Sequence, residues 1–332
     1  MKLEELDASA SFALLGPGYG DGQLGLISSL APSRAAAPGA AQLVFASYES
    51  IGAQPRIYSG SCAPCTLESV ESTAPQFDIP VDDRGYREAI ANIRDSIAAG
   101  DVYQVNYTVR AQLPRISGAA LAALLCRRGV PEWFAWVRFP EGDEFVSASP
   151  EMFFSVDGSR VQCAPMKGTA APTHEAWLEG SEKDRAELSM ITDLMRNDLI
   201  PICAPGTVYV TCERRLIHLP YVIQAVSDIE GVLQAGIGPL DVLAALHPGG
   251  SITGAPKRAA MQTIARLETT PRGAYCGSLG IIEGDRARFS ILIRTAQRNE
   301  SGWVYGVGGG IVWQSNAALE LHEIHLKLGA LK

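Results

Sequence analysis

The sequence predicts a mixed α+β chain. Its β-type runs outnumber its helical stretches, and they fall in neighbouring pairs such as 145–149 and 152–156 rather than alternating with helices as in a doubly wound sheet. With 332 residues, 47 % of them apolar and 19 % charged, the chain is long enough for one large globular unit. No internal repeat or low-complexity linker divides it.

Residues 1–80 are rich in Ala, Gly, Ser and Pro, with strand-like pieces such as 41–46, and hold few chemical candidates. They are read as a peripheral N-terminal cap of the same unit, and residues 81–332 as its main part. Over 86–99, Ile90, Ile93, Ile97 and Ala98 recur at helical spacing, and Gly100 with Asp101 closes that helix before a strand over 102–110. Strands over 145–149 and 152–156 follow, then a loop or strand end over 163–169 punctuated by Pro165 and Gly168. Leu188, Ile191, Leu194 and Met195 keep a period near 3.6, which predicts a helix over 182–199 with an acidic first turn. A strand at 207–211, a helix near 240–246 and a glycine-rich stretch over 248–254 come next. A helix over 256–267 starts at Pro256, a residue suited to a first helical turn. Strands around 276–283, 288–295 and 303–306 precede a last helix over 316–328.

Charge excludes some functions. With 28 basic against 36 acidic residues the net charge is -8, which removes the basic footprint of a nucleic-acid binder. An anionic substrate then needs a bound cation or a local cluster of donors. The first fifteen residues lack the basic start and cleavage site of a signal peptide, and no run reaches the roughly 18 apolar residues of a membrane span. Seven scattered cysteines fit reduced thiols in a cytoplasm, and Cys62 and Cys65 have the CxxC spacing without a second pair to complete a zinc set.

Several constellations can carry chemistry. Asp184 and Glu187 share one face of a helix, and Glu320 and Glu323 one face of another, with Lys327 four residues on. Two such faces suit Mg²⁺, since the oxygens are hard and no histidine stands three after a glutamate; solvated helix surfaces with an ion pair are the alternative. His322 and His325 stand three apart, not the four of a zinc protease helix. The stretch from Gly249 to Lys257 lacks the Lys-Ser/Thr of a P-loop, which leaves an anion cradle or a plain turn. Gly306-Val-Gly308 has no βαβ unit after it. Lys167, between Pro165 and Gly168, is a candidate nucleophile or base, with an ordinary surface lysine as the alternative. Glu151, ahead of Met152-Phe153-Phe154, sits where burial raises a carboxyl toward a general acid's range. Arg294, in the apolar run 290–295, needs an anion, either a substrate carboxylate or a structural one.

Taken in order, Gly100-Asp-Val-Tyr-Gln-Val-Asn106, Ser149-Pro-Glu151, Pro165-Met-Lys-Gly-Thr169, Asp184-Arg-Ala-Glu187 running to Asp193-Leu-Met-Arg-Asn-Asp198, the run from Pro248 to Lys257, Gly273-Ala-Tyr-Cys-Gly277 and Gly308-Gly-Gly-Ile-Val312 resemble the chorismate-utilising enzymes over residues 80–330. Lys167 in the Pro-x-Lys-Gly-Thr slot points to the aminodeoxychorismate synthase branch, because the similar anthranilate synthases carry alanine there.

The resemblance implies two antiparallel-rich β-sheets packed face to face with helices outside, residues 81–332 being the chorismate-binding catalytic part. It implies Mg²⁺ on Glu187 and Glu323, with Asp184 and Glu320 as outer ligands. Arg294, Tyr275, Lys327 and backbone near Gly168, Thr169 and Gly309 would hold the two carboxylates of chorismate. Lys167 would attack C2 of the ring while Glu151 protonates the departing C4 hydroxyl, and ammonia would then displace the lysine. Gln104 stands where water-adding members carry lysine, which argues against hydroxide addition.

No glutaminase nucleophile is present, since Gly60-Ser-Cys62-Ala ends in Pro64, so a separate glutamine amidotransferase subunit is the implied partner. The implied product is 4-amino-4-deoxychorismate, on the way to p-aminobenzoate and folate. The chain departs from the pattern at Gln224, in place of a substrate-side histidine, at Ala164, in place of arginine, and at Trp313-Gln314. Residues 129–133 and 14–16 lack the tryptophan-binding pattern, so no tryptophan site is expected. An anthranilate-type or other aminating enzyme, and a degenerate chorismate-binding protein, remain the alternatives.

Overall fold

A computed structural model describes residues 1–7, 9–33, 40–52, 54–67, 81–218 and 222–331. In chain order the strands are β1 Phe12–Leu15, β2 Gly25–Pro32, β3 Gln42–Ala46, β4 Arg56–Pro64, β5 Gln104–Gln112, β6 Trp133–Arg138, β7 Glu144–Ser149, β8 Met152–Asp157 and β9 Arg160–Cys163. They continue as β10 Met166–Ala170, β11 Tyr209–His218, β12 Ile223–Val232, β13 Gly254–Ala255, β14 Ser278–Glu283, β15 Arg286–Ile291, β16 Thr295–Asn299 and β17 Gly302–Ile311. The α-helices are α1 Leu3–Asp7, α2 Asp83–Ala98, α3 Gly118–Cys126, α4 Glu175–Gly180, α5 Glu182–Leu199, α6 Pro239–Leu246, α7 Gly250–Thr253, α8 Lys257–Leu267 and α9 Ala317–Leu328.

The named strands pair antiparallel in one unbroken run. It passes β13, β5, β17, β16, β7, β6 and β1, then β2, then β4, β3, β14, β15, β8, β9 and β12, with β10 and β11 also laddered to β12. At β2 the register with β4 slips between Ser28 and Ala31, and Ser29 takes a left-handed φ of 54°. This bulge lets the run bend, so its two halves face each other.

Phe45 of β3 and Phe145 of β7 share no ladder, yet their rings lie 5.5 Å apart across the interior, beside Tyr58 and Phe139. The facing sheets that the resemblance implies are therefore halves of one hydrogen-bonded ribbon. Helices cover the outer faces, burying Ile93, Leu121, Ile191, Leu246, Ile264 and Ile324 in a second core. No helix among the described residues is long and apolar enough to cross a membrane.

Some elements differ from the sequence expectation for physical reasons. The strands at 145–149 and 152–156 do not pair with each other. β7 pairs with β6 and β16 while β8 pairs with β15 and β9, so Pro150 and Glu151 carry the chain from one half to the other. The run 288–295 is likewise two strands, and Arg294 lies between them. Helix α3 escaped the periodicity test because all but one of its residues are buried, which leaves no polar stripe. Helix α2 starts at Asp83, earlier than predicted, because the Asp82 side chain accepts from the Gly85 N–H and caps it.

The two crossings run side by side. Ser149 Oγ donates to Ile291 O at 2.6 Å, Ile291 N to Glu151 O at 3.3 Å, Ser147 Oγ to Ile293 O at 3.2 Å and Ala148 N to Arg294 O at 3.0 Å. Phe154 and Phe289 stack at 4.6 Å just beyond them, with the Phe289 ring on Gly280. Phe289→Ala should destabilise the protein by about 3–5 kcal/mol, read as a lower urea midpoint. A loss below about 1 kcal/mol would show that this stacked cross-strand pair contributes little to the core.

Candidate active site

Glu151 is buried at the first crossing, and its carboxylate accepts a 2.8 Å hydrogen bond from Ser251 Oγ of α7. Burial raises its pKa to about 7; the Ser251 hydrogen bond and the Lys167 ammonium pull the other way and do not offset it. Lys167 extends from β10, and its Nζ lies 3.5 Å from Ser251 O. One serine thus touches both groups, donating to the acid and accepting from the lysine. Above them β17 passes as glycine. A Cβ at Gly310 would strike the Gln104 amide and stand 3.5 Å from Lys167 Nζ.

Gln104 is fully buried, and among the described residues neither its Nε2 nor its Oε1 has a partner. The Oε1 of buried Gln224 is also unpaired, while its Nε2 reaches Thr169 Oγ1 at 3.4 Å. Buried amides are normally satisfied, so these atoms are the sort that a bound polar molecule completes.

The acidic residues come together from two helices. Ser181 caps α5, accepting from the Asp184 N–H and donating to its carboxylate. Gly168 meets that residue, since a Cβ there would fall within 3.1 Å of the Asp184 side chain and 2.8 Å of Leu178, and its φ of +79° also requires glycine. From α9, Glu320 accepts from Ser315 Oγ at 2.7 Å, and Glu323 pairs with Lys327 at 2.7 Å. Lys327 also donates to Gly308 O at 2.7 Å, while a Cβ at Gly309 would lie within 4.0 Å of Glu320, Lys327 and Glu323.

Lys183 stands between the helices, 3.8 Å from Glu187 Oε1 and 3.9 Å from Glu320 Oε1. Burial raises the Glu187 carboxyl; Lys167 and Lys183 oppose this, and Asp184 and Glu323 add to it. Burial would raise Glu323 too, but the adjoining Lys327 ammonium outweighs it and holds that carboxyl below the usual range. Among the described residues no three His, Cys, Asp or Glu side chains are gathered as a metal site. In kind, however, hard carboxylate oxygens shared between two helices fit a hard divalent cation, and Lys183 now serves as their counter-ion.

Two expected residues join this cluster through β17 rather than by direct contact. Tyr275 is buried with its ring on Gly306 and the Arg110 guanidinium 5.2 Å from the ring centroid. Burial, with neighbouring Cys276, keeps its hydroxyl protonated far above the ordinary range. Arg294 is not inside a strand, as the sequence suggested, but in the β15–β16 crossing, half-buried and with a left-handed φ of 51°. Among the described residues no carboxylate pairs with it. Its charge is felt at Tyr305, where it opposes the upward push of burial on the hydroxyl. Gly306 and Tyr305 precede Gly309 by three and four residues on one strand, about 10–13 Å at 3.3 Å per residue.

Sequence reasoning missed Tyr86, whose buried hydroxyl has no partner among the described residues and is pushed up first by burial and then by Glu320 and Glu323. It assigned no role to Ser251 either, although the glycine-rich stretch was singled out. Within that stretch the single turn α7 presents Ser251. The thiols of Cys62 and Cys65 are free.

A family model described as chorismate binding enzyme matches residues 42–332. An anthranilate synthase component 1 of Haloarcula marismortui is 35 % identical over 264 residues, 76 % of this chain and 54 % of that protein. The aminodeoxychorismate synthase component 1 of Bacillus subtilis is 33 % identical over 272 residues, 79 % of this chain and 56 % of that protein. This chain thus spans just over half the length of these two relatives. Among solved structures, the isochorismate synthase DhbC of Bacillus anthracis superposes with a TM-score of 0.81 at 19 % identity, covering 99 % of this chain and 98 % of that one. The fold, a bent antiparallel ribbon with helices outside it, is shared with that structure. The chain belongs to the family of chorismate-binding enzymes.

The Glu151 shift makes a stability prediction. A carboxyl whose pKa rises on folding contributes stability that is complete below its unfolded value near 4.5 and is lost as pH climbs through about 7. Glu151→Gln mimics the protonated acid and lacks that loss. Relative to the parent it should therefore gain on the order of 3 kcal/mol between pH 4 and pH 8, read from urea unfolding at the two pH values. A constant difference would mean that Glu151 titrates as an ordinary carboxylate.

Proposed function

We propose that the chain is an aminodeoxychorismate synthase of the component I kind, which converts chorismate and ammonia to 4-amino-4-deoxychorismate for p-aminobenzoate and folate synthesis. The observation that carries this reading is the Lys167 ammonium beside a buried carboxyl with a pKa of about 7, both held by Ser251. The anthranilate-type relatives in the same family are why the product must be measured.

In the proposed reaction the Lys167 ammonium first passes its proton to the Glu151 carboxylate, the neutral amine attacks C2, the ring double bond shifts, and the C4 hydroxyl leaves as water with the Glu151 proton. Ammonia then attacks C4, the double bond returns, the lysine is expelled as a neutral amine, and the Glu151 carboxylate takes a proton from the new C4 ammonium. An acid that titrates near neutrality can serve in both directions. Gln104 brings a neutral amide to this space and no base to activate water.

The substrate is a dicarboxylate, and Arg294 and Lys327 are the cations proposed to receive it. Among the described residues Arg294 has no carboxylate partner, and Lys327 borders Gly309 and donates to Gly308 O. Mg²⁺, when bound by Glu187 and Glu323 with Asp184 and Glu320 outside them, supplies positive charge for the ring carboxylate. Tyr275 and Gln224 complete the proposed lining. Ammonia is proposed to come from a separate glutamine amidotransferase subunit, with the assembly in the cytoplasm.

The test is product analysis by mass spectrometry and fluorescence after incubation with chorismate, Mg²⁺ and ammonium. The parent should form 4-amino-4-deoxychorismate, and Lys167→Ala should lose roughly a hundredfold or more of that activity. Anthranilate from the parent would move the chain to the other branch. Chorismate-dependent thermal stabilisation without product from either protein would mark a binding protein.

A further inference from the structure

Arg272 is the largest charge the fold hides, in the turn between α8 and the buried Tyr275. It is 1 % exposed, and its guanidinium lies 4.4 Å from the Tyr48 ring centroid. Glu268 takes a two-point grip on it, accepting from Nε at 2.9 Å and from Nη2 at 2.7 Å. The remaining donors reach out to carbonyls, Nη1 to Ile252 O and Nη2 to Asn106 O, each at 2.7 Å. A buried guanidinium needs this degree of satisfaction, but the carbonyls it selects are informative. Ile252 follows Ser251, and Asn106 lies two residues after Gln104.

Helix α7 cannot hold its own position. It is a single turn of four residues that begins at Gly250, and an isolated turn is too short to persist. Its place is set from outside, by the Gly254–Val105 ladder on one side and by Arg272 on the other. Glu268 extends the anchor to β5 by accepting from both the N–H and the Oγ1 of Thr108 at 2.9 Å.

We propose that Arg272, oriented by Glu268, is a positioning residue that holds α7 against β5 so that Ser251 meets Glu151 and Lys167 together and Gln104 stays beside them. The proposal rests on the reading of Glu151 and Lys167 as the reacting pair. A lysine cannot replace Arg272, since one ammonium does not span two carbonyls and a carboxylate in fixed directions.

The test reads Glu151 directly, by ¹³C NMR titration of glutamate-labelled full-length protein, with Glu151→Gln identifying the signal and neither chorismate nor ammonia present. Lys167 of β10 is the charged group acting on Glu151, and Ser251 the hydrogen-bond donor. Ser251→Ala should raise the midpoint, because the donor that favours the carboxylate is gone. Arg272→Lys should raise it in the same direction, by roughly half a pH unit or more. The double variant should move it no further than Ser251→Ala alone.

A purely structural arginine would lower the melting temperature and leave the Glu151 midpoint at the parent value, and that result overturns the proposal. Glu268→Gln, which keeps the side-chain shape and loosens the grip, provides the same reading if Arg272→Lys does not fold. If the parent proves inactive while the midpoints still move, the proposed reaction fails and the positioning role stands.

Discussion

The side-by-side crossings, joined by Ser149 Oγ on Ile291 O and by Ile291 N on Glu151 O, are the contact on which the site depends. They are the places where the ribbon passes from one facing half to the other. Glu151 lies on the first crossing and Arg294 on the second, so the packing that closes the core also fixes an acid and a cation. The other groups approach this junction from outside it. Lys167 arrives on β10, Ser251 on α7, Gln104 on β5, and the carboxylates on α5 and α9.

Burial then sets the chemistry. Glu151 is driven toward neutrality because desolvation outweighs one hydroxyl and one ammonium. The carboxylates around Lys183 show how local this balance is. Glu187 and Glu323 share a cluster yet move in opposite directions, because Lys327 grips only the second. In a chain with a net charge of -8, Lys167, Lys183 and Lys327 stand among these carboxylates, with Arg294 at the second crossing.

Much of this was legible in the residues. The periodicity of Leu188, Ile191 and Met195 located α5 with its acidic first turn, and the spacing of Glu320 and Glu323 placed both on one face of α9. The partnership of β7 with β6 and β16 was not legible, since a strand's neighbours depend on where the ribbon bends, and Ser29 marks that bend with no signal of its own. Arg294 read as a strand residue because its apolar flanks continue through a crossing that is itself buried. Arg272, Tyr86 and Ser251 were silent for a different reason. Their roles arise from contacts across long stretches of chain, and no local pattern records which carbonyl or carboxylate a side chain will meet.

The central claim is that Lys167 forms a covalent bond to the substrate. The measurement is peptide mapping by mass spectrometry after the parent protein is mixed with chorismate and Mg²⁺, without ammonium, and quenched in acid. The account predicts an adduct equal to chorismate less one water on the peptide that contains Lys167. Product formation in the parallel reaction with ammonium, together with an unmodified Lys167 peptide at every quench time, would contradict it.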